Sequence, residues 1–235
     1  MSWTGYANES WNYSPAPVEN GDRGSLNVFL VALNPGSGSG RNKGRIRISG
    51  SSTDTVVAIC ICTFRRPAGL RRLLACLASQ TFSDVPHPRM AVIVVDNEGS
   101  RENRQICREY RIPAFESLTY VVEQQQGISY ARNACIDNLP DRTRFVAMVD
   151  DDESPDSAWL NHLLLAQHSS GADVVVGPTL PEFEENTPAW IKETRYFAKP
   201  QNPDSFEDLQ ADPPAATCNV LINADIFSKL GLRFD

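Results

Sequence analysis

Several kinds of segment are missing from this 235-residue chain. No apolar run approaches the roughly 20 residues that a membrane-spanning helix needs. No basic stretch followed by an apolar core opens the sequence, so no signal peptide is expected. No repeat recurs along it. Positive charge is scarce as well: 22 Lys and Arg against 29 Asp and Glu leave a net charge of −7. That balance argues against a nucleic-acid partner, which would call for a basic face. The six cysteines (Cys60, Cys62, Cys76, Cys107, Cys135, Cys218) contain no Cys-x-x-Cys pair, so zinc and dithiol redox sites are not indicated. They read as small buried hydrophobes in a reducing compartment. The three histidines, His87, His162 and His168, form no metal-ligand spacing and are expected at the surface. The expected location is the cytoplasm, with peripheral association at the inner face of the membrane left open.

What is present divides at about residue 54. Residues 1–54 differ from the rest, and Met1 to Arg23 is rich in Asn, Ser, Pro and aromatics without a sustained period. Within them, Leu26 to Leu33 is an apolar run that reads as a strand, followed by the Gly-rich stretch Asn34 to Gly44 with Lys43. A Gly-rich loop after a strand can cradle phosphate through backbone N–H groups. The stretch faintly resembles the nucleotide loop of lipid kinases of the diacylglycerol kinase type. However, it lacks the Walker A spacing, and no helix pattern follows it. The preferred reading of 1–54 is a flexible, largely disordered extension, with the folded domain at 55–235.

From Val56 onward apolar strands alternate with helical patterns. Val56 to Cys62 reads as a central buried strand. Pro67 suits the first turn of a helix, and Leu70, Leu73, Leu74 and Leu77 share one face of it. Strands follow at Ala91 to Val95 and Leu118 to Val122, with a polar helix over Arg101 to Tyr110 between them. A helix after Gly127 could carry Ile128, Ala131, Cys135 and Leu139 on one face. Asp156 or Ser157 can cap a helix with Leu160, Leu163 and Leu164 inward. Ala172 to Val176 and Ala216 to Ile222 read as further strands, separated by the long Pro-rich segment Thr179 to Pro214, which is expected to cover substrate. This alternation predicts an α/β fold: a mostly parallel, Rossmann-like sheet with helices on both faces.

The segment Arg144 to Val149 is apolar and ends in Asp150-Asp151-Asp152-Glu153. Carboxylates so close repel each other unless a cation or hydrogen-bond donors neutralise them. A hard divalent ion such as Mg²⁺ does so with oxygen ligands. An acidic, helix-capping turn is the plainer alternative. Thr63, Arg65, Asp96 and Gly127 also fall just past strand ends or at a helix start, where open α/β sheets bind ligands. Each could equally be a turn former.

These motifs together resemble the family-2 glycosyltransferases of the GT-A fold. The similar stretches are Ile61 to Arg66, Val94 to Ser100, Gln126 to Asn133 and Val149 to Glu153, with weaker matches at Val176 to Pro178, Thr217 to Leu221 and Gly231 to Asp235. The resemblance covers roughly Val56 to Asp235. It implies a nucleotide-diphosphate sugar donor, a UDP-sugar foremost, and transfer with inversion to a hydroxyl of a saccharide or lipid-linked acceptor. It places Thr63, Arg65, Asp96, Arg132, Asp150 and Asp151 at the donor. Asp152, with Asp150, would hold Mg²⁺ or Mn²⁺. In the family the general base is a carboxylate beyond the segment that resembles Gly231 to Asp235, so no catalytic base is assigned. The sequence is expected to be an incomplete family member, and a non-catalytic nucleotide-sugar-binding fragment is the alternative reading.

Overall fold

The computed structural model describes residues 2–4, 28–30, 54–177, 179, 181–192 and 217–235. The Gly-rich stretch 34–44 and residues 193–214 of the Pro-rich segment therefore lie outside the described residues. Two short strands come first, β1 (Ser2–Thr4) and β2 (Val28–Leu30). The alternating part follows as β3 (Val56–Thr63), α1 (Pro67–Ala78), β4 (Arg89–Asp96), α2 (Arg101–Glu109), β5 (Ser117–Val122), α3 (Ile128–Asp137) and β6 (Thr143–Val149). Beyond it lie β7 (Glu153–Ser154), α4 (Trp159–Ser170), β8 (Val174–Val176), β9 (Pro181–Glu182), α5 (Ala189–Lys192), β10 (Asn219–Asn223) and α6 (Asp225–Ser228).

The main sheet has seven strands in the order β2-β8-β10-β6-β3-β4-β5. Its pairs are parallel except those of β10, which runs antiparallel to both β6 and β8. The apolar runs form these strands because the sheet is covered on both faces, which leaves no side of the central strands for polar residues. The pleat divides β3 cleanly. Val57, Ile59 and Ile61 pack with the α1 leucines, Ile106 of α2 and Leu160 of α4. Ala58 and Cys60 pack with Ala131 and Cys135 of α3 and Phe227 of α6. Leu70, Leu73, Leu74 and Leu77 are all fully buried, as the i, i+3, i+4, i+7 spacing requires. A second, three-stranded sheet has the order β7-β1-β9, so the strand that follows the aspartates pairs with Trp3 and Thr4.

Three local expectations are corrected. Neither Asp156 nor Ser157 caps α4, which starts at Trp159 with Ala158 in the cap position. Asp156 Oδ1 instead accepts from the Ala158 N–H at 2.7 Å, and Gln80 Oε1, at the end of α1, accepts from the Leu160 N–H at 3.0 Å. A tertiary partner thus replaces the local cap. Ile128 does not join the inner face of α3; it is 50% exposed, while Ala131 and Cys135 are buried. His87 and His168 are exposed, but His162 is half-buried, and burial lowers its pKa. The described cysteines are all unpaired, and burial pushes Cys107 and Cys218 up to about 12, which leaves them as thiols. Replacing Leu74 by Ala should cost about 2–5 kcal/mol, read as a lower midpoint in chemical denaturation with little change in slope.

Candidate functional site

Parallel strands β3, β4 and β6 end on one edge of the sheet, in Thr63, Asp96 and Val149. Beside that edge lies a cavity of about 450 Å³, lined among others by Thr63, Phe64, Arg66, Asn97, Gly127, Ile128, Arg132, Asp150 and Asp151. Its size is that of a small-molecule site.

The aspartates turn sharply after β6, with the Glu153 N–H donating to the Asp150 carbonyl at 3.1 Å. Asp150 faces the cavity, and its Oδ1 lies 3.8 Å from Arg132 Nη2. Burial raises its pKa; Arg132 opposes the shift, and Asp152 and Asp151 add to it. Asp151 is 4% exposed. Its Oδ1 accepts from Arg66 Nη1 at 3.1 Å, while Oδ2 has no hydrogen-bond partner. Burial raises the Asp151 pKa too, against the pull of Thr63 and Arg66. Asp152 accepts from the same Arg66 nitrogen at 2.7 Å, and its carbonyl accepts from Arg72 Nη2 at 3.2 Å. Burial, with Asp150 beside it, pushes Glu153 up to about 8, so this neighbour is largely protonated at neutral pH. A cluster of carboxylates with raised pKa values is short of positive charge.

Helix α1 presses against this turn. A Cβ placed on Gly69 would lie 2.4 Å from the Asp151 carbonyl oxygen, so only glycine permits the approach. On the opposite wall, Asn97 fastens the connection between β5 and α3. Its Nδ2 donates to the carbonyls of Glu123 and Gln125, each at 2.8 Å, and its Oδ1 accepts from the Gly127 N–H at 2.9 Å. Gly127 itself has φ 141°, a backbone state that favours glycine. From α3, Asn133 exchanges two hydrogen bonds with the backbone of Phe234, at 2.8 and 2.9 Å. Arg132 Cζ sits 5.8 Å from the Phe234 ring centre.

The structure therefore brings Thr63, Arg132, Asp150 and Asp151 to one cavity, with Asp152 joined to them through Arg66. Two residues assigned to the donor lie elsewhere. Arg65 has φ 59°, which turns its side chain outward, where it pairs with Glu98 at 3.1 Å and lies against the Phe64 ring. Arg66 takes the place on the cavity that Arg65 was expected to hold. Asp96 is completely buried. Its carboxylate accepts from the Glu98 and Ser100 N–H groups at 2.9 and 2.8 Å, from Asn103 at 3.0 Å and from Tyr120 at 2.7 Å. Burial opposes its ionisation, but Tyr120 and the other donors outweigh it and hold the pKa below the ordinary value. Its lone pairs are thus spent inside the protein. Arg66 and Asn97 also line the cavity, although the sequence singles out neither. Their signal is weak: Arg66 and Asn97 stand directly beside Arg65 and Asp96 in the same motifs.

The model of the family described as "Glycosyl transferase family 2" matches residues 58–231. The chain belongs to this family. It is 31% identical over 179 residues to the succinoglycan biosynthesis protein ExoM of Rhizobium meliloti, covering 73% of this chain and 53% of that protein. It is 27% identical over 175 residues to the glycosyltransferase AglE of Haloferax volcanii, covering 72% and 52%. The chain thus spans about half the length of these curated relatives. Among solved structures, S. aureus TarS 1-349 in complex with UDP shares the fold at a TM-score of 0.57 and 17% identity, covering 77% of this chain and 50% of that one. The mannosyltransferase PcManGT from Pyrobaculum calidifontis, in complex with GDP-Man and Mn²⁺, has a TM-score of 0.52 and 16% identity, covering 74% and 46%.

Among the described residues, no three or more His, Cys, Asp and Glu side chains are grouped to hold a metal ion. Among the same residues, no helix is long and apolar enough to cross a membrane. Gly69→Ala should displace the acidic turn, because backbone rather than a flexible side chain stands in the way. The expected result is a loss of stability larger than the few tenths of a kcal/mol usual at neutral surface sites, and faster hydrogen exchange at residues 150–153. Wild-type exchange in the variant would show the turn to be independent of α1.

Proposed function

We propose that this chain binds a nucleotide-diphosphate sugar, a UDP-sugar foremost, in the cavity at the ends of β3, β4 and β6, and contributes to transfer of the sugar to an acceptor hydroxyl with inversion. The observation that carries the reading is the meeting of Asp150, Asp151 and Arg132 on one cavity of fitting size within a family-2 domain. The complexes of TarS with UDP and of PcManGT with GDP-Man support it by analogy of fold.

Roles follow from chemistry. The N-terminus of α3 opens on the cavity at Gly127 and Ile128, and a helix N-terminus favours an anion such as diphosphate. Arg132 adds a guanidinium whose planar fork suits phosphate oxygens. Thr63 lines the cavity at the nucleoside side and sets its hydroxyl toward Asp151. Asp96 acts from behind the wall by holding the backbone of Glu98 and Ser100. The carboxylates of Asp150 and Asp152 would hold Mg²⁺ or Mn²⁺. The donor set fits: it is all oxygen and electron-rich, with Asp151 Oδ2 unpartnered beside it. Two protein carboxylates completed by substrate phosphate is a common arrangement for Mg²⁺. When bound, the ion supplies Lewis-acid stabilisation of the charge growing on the leaving diphosphate. The acceptor is a saccharide or a lipid-linked sugar in this reading.

Calorimetry with UDP and Mn²⁺ tests the proposal. The chain should bind UDP in a Mn²⁺-dependent manner, and Asp152→Ala should weaken that binding by at least about tenfold, the loss of roughly 1.4 kcal/mol. Binding that ignores Mn²⁺ and survives the substitution would refute the metal assignment. Release of UDP from a UDP-sugar in the presence of acceptors separates a transferase from a module that only binds the donor.

A further inference from the structure

The acidic turn carries a cation of its own. Arg66 Nη1 lies 3.1 Å from Asp151 Oδ1 and 2.7 Å from Asp152 Oδ2, so a single nitrogen bridges two carboxylates. The arginine side chain is 55% exposed and that of Asp152 27% exposed, while Asp151 is closed in. The Asp152 half of the bridge is therefore open to exchange, and Arg66 also borders the cavity. We propose, resting on the reading of Asp150 and Asp152 as metal ligands, that Arg66 is a positioning residue: it competes with the divalent ion for Asp152 and so makes metal binding depend on diphosphate.

A carboxylate bridged by a guanidinium has already shared its charge and one of its lone pairs. An ion arriving alone must break that bridge and leave Arg66 with Asp151 as its one remaining carboxylate. A diphosphate changes the balance, because phosphate oxygens offer the guanidinium a partner of matching geometry. Arg66 then moves from Asp152 to the diphosphate, and Asp152 becomes free to ligate the ion. Asp151, enclosed and held by the same arginine, keeps Arg66 at the cavity wall in either state. The coupling is reciprocal by linkage: whatever diphosphate adds to metal affinity, the metal adds to diphosphate affinity.

The test measures Mn²⁺ binding to the full chain by electron paramagnetic resonance, without UDP and with it. For Mn²⁺ alone, Arg66→Gln should bind about tenfold more tightly than wild type, within the usual range of coupling between sites. Arg66→Lys, which keeps the charge, should stay as weak as wild type. The gain in Mn²⁺ affinity on adding UDP should be smaller in Arg66→Gln by the same factor. Equal or weaker binding of Mn²⁺ alone by Arg66→Gln, with UDP-dependent binding intact in both chains, overturns the role of Arg66 and leaves the proposed function standing. No Mn²⁺ binding by wild type even with UDP overturns the metal reading and this inference together. If circular dichroism shows the variants unfolded, the Nε–Hε resonance of Arg66 in wild type decides. It should shift on adding Mg²⁺ with UDP and stay in place with Mg²⁺ alone; a resonance that ignores both overturns the inference.

Discussion

Three carboxylates in succession at the end of a buried strand repel one another, and the chain holds them there with two arginines from separate elements. Arg66 comes from the start of α1 and takes Asp151 and Asp152; Arg132 comes from α3 and stands near Asp150. Because those helices lie on opposite faces of the sheet, the acidic turn is where the two halves of the core meet electrostatically. The compensation is incomplete. Asp150 and Asp151 keep raised pKa values, and Asp151 Oδ2 stays without a partner. A fold optimised for stability alone would have replaced such a cluster, since unpaired buried charge is costly. The divalent ion of the proposed function would supply the positive charge that this cluster lacks.

The walls of the cavity are fixed by polar side chains that bind loop backbone. Asn97 gathers the carbonyls of Glu123 and Gln125 and the amide of Gly127. Asn133 holds Phe234, and Asp96 holds the turn that leads into α2, whose cap is Ser100. Primary amides and a fully bonded carboxylate do here what a ladder does inside a sheet: they satisfy loop backbone groups that would otherwise be left unpaired. The polar motifs near strand ends are thus partly scaffold and partly site, in neighbouring positions of the chain.

That mixture explains what could be read in advance. The runs that form β3, β4 and β6 were legible because a strand covered on both faces admits only apolar residues. The leucine face of α1 was legible because its spacing has one interpretation. The meeting of Thr63, Asp150 and Asp151 at one sheet edge followed from their places at strand ends, while Arg132 was suggested only by the family resemblance. The choice between Arg65 and Arg66 was not legible, since it turns on one positive φ, which no local pattern announces. Asp96 in the sequence looks the same whether its oxygens meet a ligand or the N–H groups of Glu98 and Ser100. The reversed direction of β10 was hidden too, because an apolar run has no polarity of its own. The cap of α4 by Gln80 joins residues 80 positions apart, beyond the reach of any window.

Helix α1 touches the acidic loop at both of its ends. At the first, Gly69 lies against the Asp151 carbonyl and Arg66 clasps the carboxylates; at the second, Gln80 binds the Asp156 carbonyl and the Leu160 amide. Twelve helical residues at about 1.5 Å each make a rod of some 18 Å that splints the loop from the end of β6 to the start of α4. The loop is consequently not a portable motif. Grafted alone onto another sheet it would leave both anchors behind. The structural unit is the pair, residues 63–80 together with 149–161, joined at both ends by these contacts.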